Sequence, residues 1–228
     1  CNMCIAVDPD TGAIKDFASS TVTTDMTVGS SVNSSIADDT WDGNTRKRFT
    51  IVGDVAANWI AFGANKPSYS INTGGSLSIV FIGHYAASGT PAVIGSSSSE
   101  YFAGRSLGAG GNTHPAVSSY GTNSGVASGA LAPPAANAKV IYGYSMVYGT
   151  SLKFYTALHD ASSMTVVSAS PSWLARTINI DYVGRRTDTT NTASSKYHAL
   201  LKFNIALSEA QWDSLRDDWF GTLLEVDT

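Results

Sequence analysis

The residues of this 228-residue chain best suited to metal or redox chemistry are Cys1 and Cys4 and the four histidines, His84, His114, His159 and His198. Their spacing argues against both uses. A single C-x-x-C offers two thiolates where structural zinc takes four ligands, and the histidines are scattered without finger-like intervals, so no zinc site is expected. A thioredoxin-like pair belongs at the start of a helix, whereas this one precedes the turn signature Asp8-Pro9-Asp10-Thr11-Gly12. The rest of the chain has no cysteine and therefore no disulfide framework. Whether Cys1 and Cys4 are oxidised, modified or at a processed end stays open.

Nucleophilic and phosphate chemistry fail on similar grounds. There is no Gly-x-Ser-x-Gly elbow, and Ser96 to Ser99 form a polar run suited to a loop. Gly108-Ala-Gly-Gly-Asn lacks the Lys-Ser/Thr and the helix that a phosphate loop requires. Asp8-x-Asp10-x-Gly12, with Asp16 beyond it, has the opening of a calcium loop but no glutamate at its twelfth position, which favours an ordinary turn. Asp38-Asp39-Thr-Trp-Asp42-Gly43-Asn44 carries the same ambiguity, so no cofactor is expected and calcium alone stays open. For ligand binding, the candidates are Tyr120 in a long Gly/Ser-rich segment, with Arg185, Arg186, Asp188 and Asn191 before the last strand. An aromatic platform and planar polar groups suit a sugar, provided the two loops converge.

Such loops need a scaffold, and the chain encodes a β-rich one. Short apolar runs recur between turn signals from Phe49 onward: 49–52, 59–62, 77–82, 92–94, 140–148, 152–158, 164–167, 178–183 and 197–205. Val140, Tyr142, Tyr144, Met146 and Tyr148 alternate, and after the turn at Gly149-Thr150-Ser151 come Leu152, Phe154, Thr156 and Leu158, which predicts a hairpin with one buried and one wetter face. A sandwich or barrel follows, interrupted by long Gly/Ser-rich segments at 104–137 and 184–196 that read as loops. Residues 1–48 are predicted to be an extension or arm with short strands, 49–228 the sandwich. One helix is predicted near the end: Ser208 and Gln211 form a capping box, Leu207 and Trp212 a hydrophobic staple, and Trp212, Leu215 and Trp219 share a face that docks on the sheet.

Only 14% of residues are charged, against about 25% in an average domain, and the net charge is −4. With Arg46-Lys47-Arg48 as the only basic run, nucleic-acid binding is disfavoured. The longest apolar stretch, Leu77 to Ile82, is far short of a membrane span.

The strand Leu77-Ser-Ile-Val-Phe-Ile, the hairpin from Lys139, the run Ile180-Asp-Tyr-Val-Gly-Arg-Arg and above all Phe203-Asn-Ile-Ala-Leu-Ser-Glu-Ala210 resemble the laminin-G-like, concanavalin A-like superfamily over about residues 49–220. The last run matches that superfamily's closing strand and helix, and Trp219-Phe220 looks like versions found in bacteriophage virion proteins. The resemblance implies an all-β concanavalin A-like jelly-roll sandwich with one short C-terminal helix. Its glucanases need a run such as Glu-x-Asp-x-x-Glu, but Glu100, Glu209 and Glu225 are the only glutamates. Its alginate lyases use a Tyr-Phe-Lys-Ala-Gly-like strand. Tyr101-Phe-Ala-Gly-Arg105 lacks the lysine, and Ile82-Gly83-His84 is a weak analogue of the partner strand. The sequence therefore predicts a non-enzymatic structural and adhesion module of a virion or extracellular surface, contacting copies of itself, neighbouring subunits or surface glycans. The alternatives are a soluble lectin-like module and, behind it, a polysaccharide-active enzyme.

Overall fold

The structure, a computed structural model, describes residues 1–18, 26–41, 44–52, 58–64, 66, 68–71, 74–85, 92–95, 101–107, 113–119, 122–124, 134–169, 176–184 and 195–221. In chain order the first elements are β1 (Met3–Val7), β2 (Ile14–Asp16), β3 (Met26–Val28), the single-turn α1 (Ser30–Asn33), β4 (Ala37–Trp41), β5 (Asn44–Ile51), β6 (Ile60–Phe62), β7 (Ser68–Ile71), β8 (Ser76–His84) and β9 (Ala92–Gly95). There follow β10 (Tyr101–Leu107), β11 (Thr113–Ser119), β12 (Thr122–Ser124), β13 (Lys139–Val147), β14 (Ser151–Leu158), β15 (Thr165–Ala169), β16 (Arg176–Asn179), β17 (Tyr182–Val183), β18 (Ser195–Phe203) and α2 (Glu209–Gly221).

Two antiparallel sheets make the sandwich. The larger runs β15-β14-β13-β8-β18-β1-β2, with β5 also on β18 and β4 on β5. The other runs β12-β11-β10-β9-β17-β6-β3, and β16 pairs with β7 apart from both. Between the sheets lies one apolar core, in which Leu77, Ile79, Phe81, Val140, Tyr142, Tyr144, Phe154 and Leu200 of the larger sheet join Ile60, Phe62, Ile94 and Val183 of the other. The alternating tyrosines of β13 point into this core as their spacing demands.

The described part of 1–48 contributes strands to both sheets. β1 pairs with β18 through Met3↔Lys202 and Ile5↔Leu200, and both Met3 and Ile5 are fully buried. A short, mixed run gave little period-two signal, yet it occupies an interior position between β18 and β2. The 104–137 stretch also holds more strand than its Gly/Ser composition suggests, since β11 and β12 fall within it. In these strands small polar residues replace the apolar ones on which the alternation test relies.

The second face of the larger sheet is not wet either. Ile141, Tyr155, Ala157, Val80, Ile82, Ala199 and Leu201 are buried there beneath two covers. One cover is α2. Its capping box forms, with Ser208 N donating to Gln211 Oε1 at 2.9 Å and Gln211 N to Ser208 Oγ at 3.3 Å. Trp212 is fully buried and stacks on Tyr155 at 4.6 Å, with Leu207 buried and Leu215 partly buried beside it. Trp219 lies within the helix, its side chain outside the described atoms. Trp212 Nε1 donates to Ser145 Oγ (2.9 Å), Ser145 Oγ to Leu207 O (3.0 Å), and Leu207 N to Ser78 Oγ (2.9 Å). The close approach of strand and indole requires Gly143, where a Cβ would meet Ile79 O at 1.9 Å and the Trp212 ring at 3.0 Å. No helix among the described residues is long and apolar enough to cross a membrane.

Candidate functional site

The other cover is the β4–β5 hairpin, which encodes its own pairing. Asp38 stands opposite Lys47, Asp39 opposite Arg46 and Thr40 opposite Thr45, so unlike charges and paired hydroxyls face each other across the ladder. Lys47 Nζ bonds Asp38 Oδ1 at 2.9 Å, and the Thr40 and Thr45 hydroxyls lie 3.2 Å apart. Alternation turns Ala37, Asp39 and Trp41 toward the sheet and Asp38 and Thr40 to solvent. Trp41 is 1% exposed and joins the cluster under this face. Lys139 clamps the hairpin from β13, with Nζ 2.6 Å from Thr40 O and 5.7 Å from the Trp41 ring centroid.

Beneath the hairpin three ionisable side chains converge. His84 ends β8 and His198 lies in β18, where the pairing register shifts between Tyr197↔Gly83 and Ala199↔Ile82. That bulge makes His198 the extra residue and allows both it and Ala199 to serve the hairpin side, while Tyr197 stays in the inter-sheet core. Asp39 Oδ2 contacts His84 Nε2, lies 3.0 Å from His198 Nε2 and accepts from Trp41 Nε1 at 3.1 Å. Arg48 Nε is 3.8 Å from the same oxygen. His84 Nδ1 faces the Asn137 carbonyl at 3.1 Å. His198 Nδ1 is buried and has no hydrogen-bond partner among the described residues. Trp41 packs edge-on against both imidazoles, 4.5 Å from His198 and 5.8 Å from His84, centroid to centroid.

Burial shapes the electrostatics. Burial raises the Asp39 carboxyl, but the hydrogen bonds from His84, His198 and Trp41 outweigh it and hold that group well below the usual carboxylate range. Burial pushes His198 down to about 4, against the upward pull of Asp39, so its imidazole is neutral at pH 7. Three potential ligand atoms, one each from Asp39, His84 and His198, lie within 4.8 Å of one another.

A cleft of about 200 Å³ adjoins this cluster, lined by Ala6, Val7, Pro9, Asp38, Thr45, Arg46, Lys47 and His198. It brings an apolar floor from the β1–β2 corner against charged and hydroxyl groups of the hairpin. A second, larger hollow of about 390 Å³ lies at the start of α2, but its polar groups already satisfy one another. Lys153 bonds Glu209 at 2.8 Å there, and Ser145 serves Trp212 and Leu207.

Of the residues expected to bind ligand, Tyr120, Arg185, Arg186, Asp188 and Asn191 all lie outside the described residues. The calcium-like openings resolve differently. Asp8 Oδ1 accepts from Asp10 N (2.9 Å) and Thr11 N (3.1 Å), Oδ2 pairs with Lys15, and Gly12 takes a φ of 67°, which is the ordinary turn. Asp38 and Asp39 are drawn apart by the strand, one to solvent and one to the histidines. The spacing argument could not register this grouping, because β8 and β18 are neighbours in the sheet although His84 and His198 are far apart in sequence. The available signal was that each histidine terminates or interrupts an apolar strand, and that an Asp-x-Trp unit faces a basic run of opposite sign.

No protein-family model matches the chain, and no curated protein matches it in sequence. Solved structures do share its fold. A receptor-binding domain of botulinum neurotoxin type G matches with a TM-score of 0.50 and 11% identity over 95% of this chain and 51% of that one. The ligand-binding domain of serotype D, in complex with N-acetylneuraminic acid, matches with 0.53 and 13% over 94% and 50%. A mutant GH54 α-L-arabinofuranosidase, soaked with 4-nitrophenyl α-L-arabinofuranoside, matches with 0.60 and 10% over 90% and 50%. The chain thus spans about half the length of these neighbours. At such identities the likeness is one of architecture, and architecture does not fix function. The chain has the concanavalin A-like β-sandwich fold that the closing strand and helix resemble.

Proposed function

We propose that the chain is a non-catalytic recognition module that binds a sugar in the cleft between the β1–β2 corner and the β4–β5 hairpin. The observation that carries this reading is the cleft's composition: an apolar floor of Ala6, Val7 and Pro9 beside Asp38, Thr45, Arg46 and Lys47. Apolar surface suits the C–H face of a pyranose, and charged planar or hydroxyl groups suit its hydroxyls. At about 200 Å³ the cleft takes one ring rather than a long oligosaccharide. The neighbour solved with N-acetylneuraminic acid supports a glycan as the ligand class, and the arabinofuranosidase soaked with a sugar derivative lends the same support. The setting is an outer surface, of a virion or a cell, where such a module mediates adhesion. The strand β15, at the edge of its sheet among the described residues and paired with β14, offers a site for contact with further copies.

An array of neutral and acidic glycans, probed with the full chain and with Lys47→Ala, tests the reading. Binding to a defined sugar class, weakened at least about tenfold by the substitution, is expected. Silence across the array, or binding indifferent to Lys47, would refute it. Sedimentation of the same protein tests the contact with further copies, and a strict monomer at every concentration would remove that part.

A further inference from the structure

The geometry points to a function for the cluster under the hairpin that the sugar reading does not require. We propose that Asp39 Oδ2, His84 Nε2 and His198 Nε2 form a three-ligand site for a divalent transition metal, zinc by its donor set.

The first ground is placement. The three atoms come from β4, β8 and β18, lie within 4.8 Å of one another, and sit on strands rather than loops. The His198 side chain is fully buried and that of His84 is 10% exposed, so little rotamer freedom remains to be lost on coordination. Two imidazoles and one carboxylate are a donor set that zinc and neighbouring first-row metals accept, with a fourth position left for water or a ligand.

The second ground is the proton count. The Asn137 carbonyl can only accept, so His84 Nδ1 carries the hydrogen in the contact at 3.1 Å. Toward Asp39 Oδ2, itself an acceptor, Nε2 then either donates a second ring proton or presents a lone pair that only a cation between the two would satisfy. Two lone pairs do not face each other stably. A ligating imidazole whose other N–H is held by a backbone carbonyl is the arrangement that fixes a metal-binding tautomer.

The third ground is crowding at one atom. Asp39 Oδ2 meets nitrogens of His84, His198 and Trp41, three partners for an oxygen with two lone pairs. With a metal bound, the two imidazole nitrogens turn their lone pairs to the ion and only the Trp41 N–H remains as a donor to the carboxylate. Arg48, with Nε 3.8 Å from Oδ2 and an N–H held by Thr50 Oγ1 at 2.8 Å, is the resident cation against which the metal competes.

The full chain, stripped with a chelator and dialysed, is titrated with Zn²⁺ and separately with Co²⁺. One metal per chain is expected, with a rise in Tm and, for Co²⁺, visible absorption of a low-coordinate N/O site without a thiolate charge-transfer band. His84→Gln and His198→Gln should each lose roughly 100-fold or more in affinity. The Cys1→Ser/Cys4→Ser double variant should bind like the wild type, and Arg48→Gln should bind more tightly. Far-UV circular dichroism without metal checks that the histidine variants fold, and the wild-type Co²⁺ spectrum needs no variant at all. Failure of the wild type to bind either metal would overturn the proposal. So would binding that survives both histidine substitutions, or a thiolate band abolished by the serine pair.

Discussion

The two covers on the outer face of the larger sheet solve one packing problem with different chemistry. Each buries a tryptophan, Trp212 from α2 and Trp41 from the β4–β5 hairpin, and each gives the indole N–H an acceptor. Under α2 the acceptor is the neutral Ser145 hydroxyl, which lies 2.7 Å from the Ser78 hydroxyl, the two sharing their protons between each other and the Leu207 and Ile205 carbonyls. Under the hairpin the acceptor is a carboxylate shared with two histidines, one of which keeps a buried nitrogen without a partner among the described residues. A neutral, saturated network is what stability alone demands. A charged, oversubscribed one is destabilising unless something is gained by it, and groups of that kind collect at functional sites. On the reading proposed above, the helix end is structural and the hairpin end recognises ligand.

The strongest way to break this comparison is to remove the indole at the helix end. Trp212→Ala should destabilise the chain by about 3–5 kcal/mol, read by urea denaturation, because it empties a filled site. An unchanged midpoint would mean that α2 is not a cover at all.

A titratable group near the end of β18, whose amine donates to Asn204 Oδ1, supplies a control. Lys202 is 2% exposed, and burial lowers its amine to about 8. Below that pH both folded and unfolded chains carry the proton, and the full penalty, on the order of 3 kcal/mol at most, is present. Between about 8 and the ordinary value of 10.5 the unfolded chain binds more protons, so stability rises with pH. Lys202→Met should therefore be more stable than the wild type at neutral pH. Its advantage should shrink by about 1 kcal/mol between about pH 7.5 and about pH 9. The Cys4 thiol, pushed up to about 11 by burial, contributes equally to wild type and variant and cancels in the difference. A constant difference would contradict the burial of the amine.

Smaller effects sharpen the contrast. Ser145→Ala leaves the Trp212 N–H buried without an acceptor and should cost about 1–3 kcal/mol in urea denaturation, without altering sugar binding. Ser208→Ala removes half of the capping box and should cost about 1 kcal/mol in the same assay. Both belong to the helix end, and a change in ligand affinity from either would blur the division.

The helix end was legible in the sequence and the hairpin end was not, for a physical reason. Capping box, staple and i, i+3 spacing are local codes, and Leu207, Ser208, Gln211, Trp212 and Leu215 stand where those codes place them. The tyrosine alternation of β13 is local as well and put the right face inward. The cluster of Asp39, His84 and His198 exists only through strand order, since it needs β8 beside β18 and a bulge at His198. Local alternation carries no information about which strands become neighbours. The same limit hid β1, whose five residues are too few to declare a period yet lie inside the sheet.

The most direct test sets the two ends against each other in one binding assay. Affinity for the sugar selected by the array is measured for wild type, Lys47→Ala at the hairpin cleft and Lys153→Ala at the hollow beside α2. The account predicts that Lys47→Ala weakens binding at least about tenfold while Lys153→Ala leaves it unchanged. Loss of binding on Lys153→Ala with Lys47→Ala unaffected would contradict it.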